Sequence, residues 1–115
     1  MKRDTVLYLE DILVQIDTIL EFIQNTSKEI FLTDKKENYA VVRAIEIIGE
    51  AASRASTELE DKYPELPWHR MKGMRNIIVH EYFDVDLGII WEVATKELLP
   101  LKTQISAVID EESRS

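Results

Sequence analysis

The chain has 115 residues, of which 45% are hydrophobic and 31% charged, a composition typical of one globular domain (residues 1–115) rather than of a disordered segment. It contains no cysteine, which excludes disulfides and thiolate metal sites. It also lacks an apolar run near the ~18 residues that a membrane-spanning helix needs, and it lacks a signal-peptide pattern, so we expect a cytoplasmic protein without a membrane partner.

The formal net charge of −8 argues against binding along a nucleic-acid duplex, because affinity for phosphates depends on lysine and arginine. Residues 68–75 are a local exception, since they include Arg70, Lys72 and Arg75 and no acidic residue. A small cationic segment in an acidic chain suits a confined phosphate site better than a long footprint. We therefore predict a short phosphate site here and no DNA partner.

The first predicted helix begins near Asp4, which can cap it, and runs to about Gln24. Its apolar face is wider than one neighbouring helix can cover, because a second apolar stripe lies beside the main one. We expect two packing partners for this helix, and one of them could be a second subunit. The main stripe comprises Leu9, Ile12, Ile16, Ile19 and Ile23, and the second comprises Val6, Leu13 and Leu20.

A connector over residues 25–33, with room for one helical turn, leads to a second long helix that Asp34 caps and that runs to about Leu59. Gly49 falls in the middle of this helix, where glycine costs ~1 kcal/mol relative to alanine. The close approach of another backbone would explain a glycine there.

Pro67 suits the first turn of a third helix, which should end within residues 80–82. Asp84 or Asp86 can cap a fourth helix, and Pro100 should force a kink or a restart before the last one. These elements predict an all-α fold, an antiparallel up-and-down bundle of four or five helices. Trp68 and Trp91 are expected to be core or interface residues.

The third helix ends in a cluster of polar side chains. RNA can be cleaved without a metal when a base removes the proton of the 2′-hydroxyl and cations stabilise the charge that develops on the phosphate. His80 can exchange a proton near neutral pH, and Arg75 offers a planar set of donors for phosphate oxygens. Asn76 could orient the imidazole of His80 or donate to the phosphate.

The spacing of Arg75 and His80 raises a geometric difficulty. Five residues of a regular helix turn by ~500°, so the two side chains would point about 140° apart. Either the helix frays before His80, or a second subunit completes the site. The wide apolar face of the first helix favours a dimer.

Several of these residues also have purely structural interpretations. Arg75 and His80 could be a surface arginine and a helix-terminal histidine favoured by the helix dipole. Arg70 and Lys72 could steer RNA, or they could form only a solvated face. His69 and His80 have no matching carboxylate pattern, so we expect no metal site.

Arg43, Glu46, Glu50 and Arg54 form a ladder of charges at helical spacing. Most such ladders are solvated pairs of little energetic value. The alternative is that this ladder supports the active site, because the neighbouring Gly49 indicates that another backbone comes close.

The stretch from Arg75 to Tyr82 matches the Arg-x4-His-x-Tyr motif of HEPN toxins, in particular the HepT-like group that pairs with minimal nucleotidyltransferases. Glu81 departs from the usual pattern, in which a small neutral residue is more common. The remaining resemblance covers most of the chain and lies in residues 43–51, 67–68, 73–76, 85–86, 91 and 99–101.

The resemblance implies a HEPN-like fold and a metal-independent endoribonuclease that needs no cofactor. It implies a homodimer in which both motif copies share one cleft, with Arg75, His80 and Asn76 acting on an RNA substrate. It also implies a nucleotidyltransferase antitoxin, which can neutralise the toxin by transferring AMP to Tyr82, because a bulky anionic group there would obstruct an RNA phosphate. Whether the dimer joins a larger assembly with that antitoxin stays open.

A competing interpretation is not enzymatic. A helical bundle of this kind could be the substrate-binding or scaffold partner of a nucleotidyltransferase, with the polar motif contacting nucleotide instead of cutting RNA. Loss of RNA cleavage in a His80→Ala variant that still folds would distinguish the two.

Overall fold

The computed structural model describes residues 3–80 and 86–114, without the side chains of residues 3–4 and 76–80. The described part of the chain is helical and contains no strand, which confirms the predicted all-α bundle. In chain order its elements are α1 (Arg3–Gln24), α2 (Lys28–Thr33), α3 (Lys35–Leu59), α4 (Trp68–His80), α5 (Leu87–Glu92), a π-helical turn (Val93–Glu97) and α6 (Leu98–Arg114).

Two of the helix starts are fixed by aspartate caps. The carboxylate of Asp34 accepts hydrogen bonds from two backbone N–H groups in the first turn of α3, as predicted. Asp86 does the same for α5, whereas Asp84, the other predicted cap, lies outside the described residues. Helix α1 begins at Arg3, so Asp4 lies inside its first turn instead of preceding it.

The predicted connector holds a short helix that contributes to the core. Ser27 caps α2, and the side chain of Phe31 is fully buried and lies 5.3 Å from the ring of Trp91, centroid to centroid. The buried amide of Asn38 donates to the carbonyl of Phe31 over 3.1 Å. Because a buried polar group needs a partner, this bond fixes how α2 sits on α3.

The main apolar stripe of α1 is largely buried within the chain, and the second stripe is half-buried. Helix α1 packs against α3 on one side and against α6 on the other. The second partner that the sequence required is therefore α6, and the width of α1 does not by itself demand a second subunit. The fully buried residues of α1 are Leu9, Ile12, Ile16 and Ile19.

Pro100 distorts the last helix without ending it. Proline has no N–H and its ring collides with the carbonyl four residues earlier, which here belongs to Lys96. The π-helical turn Val93–Glu97 lies at that position, and α6 continues beyond it to Arg114. The predicted kink or restart thus takes the form of one widened turn.

A buried carboxylate anchors the end of α6 to the loop that precedes α4. The side chain of Glu112 is only 1% exposed, accepts a hydrogen bond from the Tyr63 hydroxyl and lies 2.6 Å from the Lys62 ammonium. These two donors hold the pKa of Glu112 below its usual value, while burial raises the pKa of Tyr63. Across the described ranges, no helix has the length and apolar character to cross a bilayer.

Candidate active site

Helices α3 and α4 touch backbone to backbone where Gly49 meets Arg75. A Cβ atom built on Gly49 would lie 2.6 Å from the Cβ of Arg75 and 2.7 Å from its backbone nitrogen. No other residue type fits this contact without a shift of α4, which confirms the close approach predicted from the glycine. The contact determines where the Arg75 side chain leaves α4.

The Arg75 side chain lines a groove of about 390 Å³, which we call the α3 groove. Helix α3 provides most of the lining, α1 contributes two residues and α4 contributes Arg75. Three arginines and three acidic residues face one another here, so the groove is locally neutral although the chain carries a net charge of −8. The lining residues are Tyr8, Asp11, Arg43, Glu46, Ile47, Glu50, Ala51, Arg54 and Arg75.

Glu50 connects two of these arginines. Its Oε2 atom lies 3.1 Å from Nε of Arg75, and its Oε1 atom lies 3.3 Å from an Nη atom of Arg54. Glu46, one helical turn earlier, pairs with Arg43. The charge ladder predicted on the second helix thus lies in the groove beside Arg75.

Helix α4 extends to His80, so the helix does not end before the predicted catalytic histidine. This disfavours the interpretation in which fraying brings His80 beside Arg75 in one chain. The backbones of Asn76 and His80 belong to α4, but their side chains are outside the description, and Tyr82 lies outside the described residues. Of the predicted catalytic side chains, the structure therefore places Arg75.

Arg70 and Lys72 pair with carboxylates that do not line the α3 groove. The guanidinium of Arg70 donates from Nε and Nη2 to the two oxygens of Glu97 in the π-helical turn, each over 2.7 Å. This bond holds the pKa of Arg70 above and that of Glu97 below their usual values. Lys72 pairs with Glu60 at 2.8 Å.

The cationic segment of the sequence is consequently dispersed in three dimensions. Arg70, Lys72 and Arg75 pair with three different carboxylates, those of Glu97, Glu60 and Glu50. The described side chains therefore do not form the single phosphate-binding patch that the sequence predicts. Of the three cations, Arg75 is the one that lines the α3 groove.

The remaining site predictions concern aromatic residues and metals. Trp68 is buried and its indole N–H donates to the carbonyl of Tyr63 over 2.8 Å, so it is a core residue. Trp91 is partly buried against the same core, and His69 is exposed. Among the described residues, no cluster of histidine and acidic side chains is arranged to hold a metal ion.

The contribution of α1 to the groove was not predicted from the sequence. Tyr8 is half-buried and Asp11 is exposed, both beside the buried stripe of α1. Periodicity separates buried from exposed positions on one helix but does not say which exposed residues face a neighbouring helix. The glycine at position 49 was the one local signal that pointed to this region.

Comparison with known proteins supports the motif resemblance. The model of the family described as "Ribonuclease HepT-like" matches residues 12–108, a range that includes the α3 and α4 residues of the α3 groove and the whole motif. No solved structure matches the chain significantly.

Three similar proteins carry ribonuclease names. "Probable ribonuclease HepT" from Thermococcus cleftensis is 42% identical over 102 residues, which cover 89% of this chain and 93% of the relative. "Putative RNase MJ1216" from Methanocaldococcus jannaschii is 39% identical over 108 residues, or 94% of this chain and 89% of the relative. "Putative RNase TTE0752" from Caldanaerobacter subterraneus subsp. tengcongensis is 38% identical over 105 residues, or 91% and 94%. With the matching family model, these relatives show that the chain belongs to the HepT-like ribonuclease family.

Proposed function

We propose that this protein is the toxin of a cytoplasmic toxin–antitoxin pair and acts as a metal-independent endoribonuclease. The observation that carries the proposal is the placement of Arg75, a half-exposed guanidinium in a groove of about 390 Å³, within the family's motif. A guanidinium that is fixed at its base and open at its end is suited to a phosphodiester.

The proposed reaction needs only side chains of the motif. The imidazole of His80 removes the proton of the 2′-hydroxyl, the 2′-oxygen attacks the adjacent phosphorus, and the bond from phosphorus to the 5′-oxygen breaks. The protonated imidazole returns the proton to the leaving 5′-oxygen. The products are a 2′,3′-cyclic phosphate and a 5′-hydroxyl end, and Arg75 and Asn76 stabilise the charge on the phosphate oxygens during the displacement.

A homodimer resolves the geometry of the motif. Because α4 is helical up to His80, positions 75 and 80 of one chain lie about 140° apart around the helix axis. We therefore assign Arg75 of one protomer and His80 of its partner to each composite site. Arg70 and Lys72 then act at longer range, attracting RNA toward the cleft.

The partner that we propose is a nucleotidyltransferase antitoxin that transfers AMP to Tyr82. The adenylyl phosphate would place an anion two residues from the catalytic imidazole, where it repels the phosphate of an incoming RNA. Incubation of the toxin with that partner and ATP, followed by mass analysis of wild type and Tyr82→Phe, tests this part independently of RNA cleavage.

The ribonuclease activity is tested by incubating the purified protein with RNA in EDTA. We expect cleavage by the wild type, none by Arg75→Ala or His80→Ala, and wild-type rates for Arg114→Ala, which removes an arginine that does not line the groove. A folded wild type that leaves RNA intact would refute the enzymatic proposal in favour of a scaffold for a nucleotidyltransferase. Activity that requires a divalent ion would refute the metal-independent mechanism.

A further inference from the structure

Arg75 is held on two sides by consecutive residues of α3. The backbone of Gly49 lies against the backbone of Arg75, and the carboxylate of Glu50 contacts the guanidinium. We propose that Glu50 is a positioning residue, which holds Arg75 by its Nε edge so that its Nη groups are presented to an RNA phosphodiester in the α3 groove. This inference rests on the proposed ribonuclease function.

The chain contains a direct comparison for this contact. Glu97 binds Arg70 with both oxygens and takes two of its donors, Nε and Nη2, at 2.7 Å each. Glu50 instead gives one oxygen to Arg75 and contacts it at Nε. A guanidinium has five N–H donors, so a contact at Nε leaves the Nη donors of Arg75 for an anion.

The second oxygen of Glu50 explains why the carboxylate is itself well placed. It pairs with Arg54, one helical turn further along α3, which limits the rotamers of Glu50. Arg54 and Arg75 therefore bind opposite oxygens of one carboxylate and both line the groove. Two cations from different helices are organised by one residue.

The pair contributes little to the stability of the fold. The side chains of Glu50 and Arg75 are 42% and 46% exposed, and ion pairs at that exposure are screened by water. Variants of Glu50 should consequently fold like the wild type, and any loss of turnover can be attributed to the site.

The negative charge of Glu50 allows an experiment to distinguish a positioning role from simple electrostatic repulsion of RNA. Glu50 and Glu46 both carry a negative charge into the groove, which by Coulomb repulsion weakens the binding of an anionic RNA. If charge alone mattered, neutralising either residue would improve cleavage. A positioning role predicts that neutralising Glu50 slows cleavage, because Glu50 contacts Arg75. It predicts no such loss for Glu46, which pairs with Arg43.

The kinetic arm compares Glu50→Ala and Glu50→Gln with Glu46→Ala and Glu46→Gln. We expect Glu50→Ala to lower kcat about tenfold or more with KM changed less than about twofold, as for loss of an interaction that matters in the transition state. Glu50→Gln should recover part of kcat, because its amide oxygen can occupy the same place beside Nε of Arg75. The Glu46 variants should lower kcat far less than Glu50→Ala does, because Glu46 pairs with Arg43 and not with Arg75. Equal kcat values for the Glu46 and Glu50 variants would overturn the proposal.

The second arm does not depend on cleavage. The NMR signal of the Arg75 Nε–H group, assigned by its absence in Arg75→Lys, should show an ordered side chain in the wild type and a mobile one in Glu50→Ala, but not in Glu46→Ala. An Arg75 Nε–H group that is equally mobile in wild type and Glu50→Ala overturns the positioning role even if RNA is cleaved. An inactive wild type with an ordered Nε–H group refutes the proposed function while the contact stands.

Discussion

Gly49 in α3 and Arg75 in α4 are so close that a Cβ atom at position 49 would lie 2.6 Å from the Cβ of Arg75. Real Cβ contacts are longer, and the atoms it would meet belong to the backbone and first side-chain carbon of α4, which cannot rotate away. The structure of the groove therefore depends on the absence of one methyl group. Two glycine variants, one at this contact and one away from it, test this dependence.

Gly49→Ala should destabilise the protein and inactivate it. Overpacking of this kind costs about 1–3 kcal/mol, and the better helix propensity of alanine returns only ~1 kcal/mol. Because α4 must move away from α3, Arg75 shifts relative to Glu50, and RNA cleavage should fall by more than the loss of folded protein explains. Urea unfolding and cleavage assays on the same preparation measure the two effects.

Gly73→Ala is the matched control and should stabilise the protein where Gly49→Ala destabilises it. This glycine also lies inside a helix, but a Cβ atom there would meet nothing within 4 Å. The free energy of unfolding should rise by up to ~1 kcal/mol, with cleavage unchanged. Equal stability changes in the two variants would show that steric contact at position 49 is not the cause.

Complementation between inactive variants should identify the composite site. An Arg75→Ala chain paired with a His80→Ala chain has one site in which both residues are intact, provided that each site takes its arginine and its histidine from different protomers. An equimolar mixture after subunit exchange should then regain about a quarter of wild-type cleavage, since about half of the dimers are mixed and each has one intact site.

Mixing either variant with the Arg75→Ala/His80→Ala double variant supplies the control, which should stay inactive. A mixture of the single variants that regains nothing, although mass analysis shows mixed dimers, would place both residues of each site in one protomer. A protein that is monomeric at assay concentration but still cleaves RNA would refute the composite cleft.

Neutralising Glu97 should test whether Arg70 attracts RNA. In the wild type Glu97 partly compensates the charge of Arg70 through two hydrogen bonds. Glu97→Gln leaves the arginine uncompensated, so KM for RNA should fall about two- to threefold at low salt, with kcat unchanged. The effect should disappear at 1 M salt, where the Debye length is about 3 Å.

Arg70→Ala in the Glu97→Gln background provides the check on that prediction and should return KM to the wild-type value. If Glu97→Gln leaves KM unchanged at low salt, Arg70 has no steering role. A KM that stays low after Arg70 is removed would also refute the steering role of Arg70.

The buried carboxylate of Glu112 should make stability fall in acid. The hydrogen bonds from Lys62 and Tyr63 lower its pKa in the folded protein from the ordinary value of 4.5, so the unfolded chain binds the proton more readily. The stabilisation is complete at pH values above 4.5 and is lost as the pH falls through the lower pKa of the folded state. Glu112→Gln should flatten this part of the profile of unfolding free energy against pH.

Tyr63→Phe should weaken the same anchor at neutral pH. Removing the hydroxyl takes one donor from the buried carboxylate, which we expect to lower the free energy of unfolding by about 1–3 kcal/mol at pH 7. The acid-induced loss should then be smaller and should end at a higher pH, because the pKa of Glu112 in the folded protein moves back toward its ordinary value. Tyr39→Phe, at a tyrosine that is 69% exposed, should change neither quantity.

Much of the fold could be predicted from the sequence because its signals are local. The apolar spacing gave the helices, Asp34 and Asp86 stand where a side chain can cap the following turn, and a glycine inside a helix implied a close neighbour. The ordered motif from Arg75 to Tyr82, with its surrounding residues, was sufficient for the family.

The tertiary structure decided which residues meet. The sequence marked a second apolar stripe on α1 but did not determine that α6 is the second helix that packs against α1. Glu46 and Glu50 are equivalent in a helical pattern, yet only Glu50 contacts Arg75, and the three cations of α4 turn to three different carboxylates. Local periodicity fixes the direction of a side chain from its own helix, whereas its partner depends on how distant helices pack, and that packing is set by the whole core.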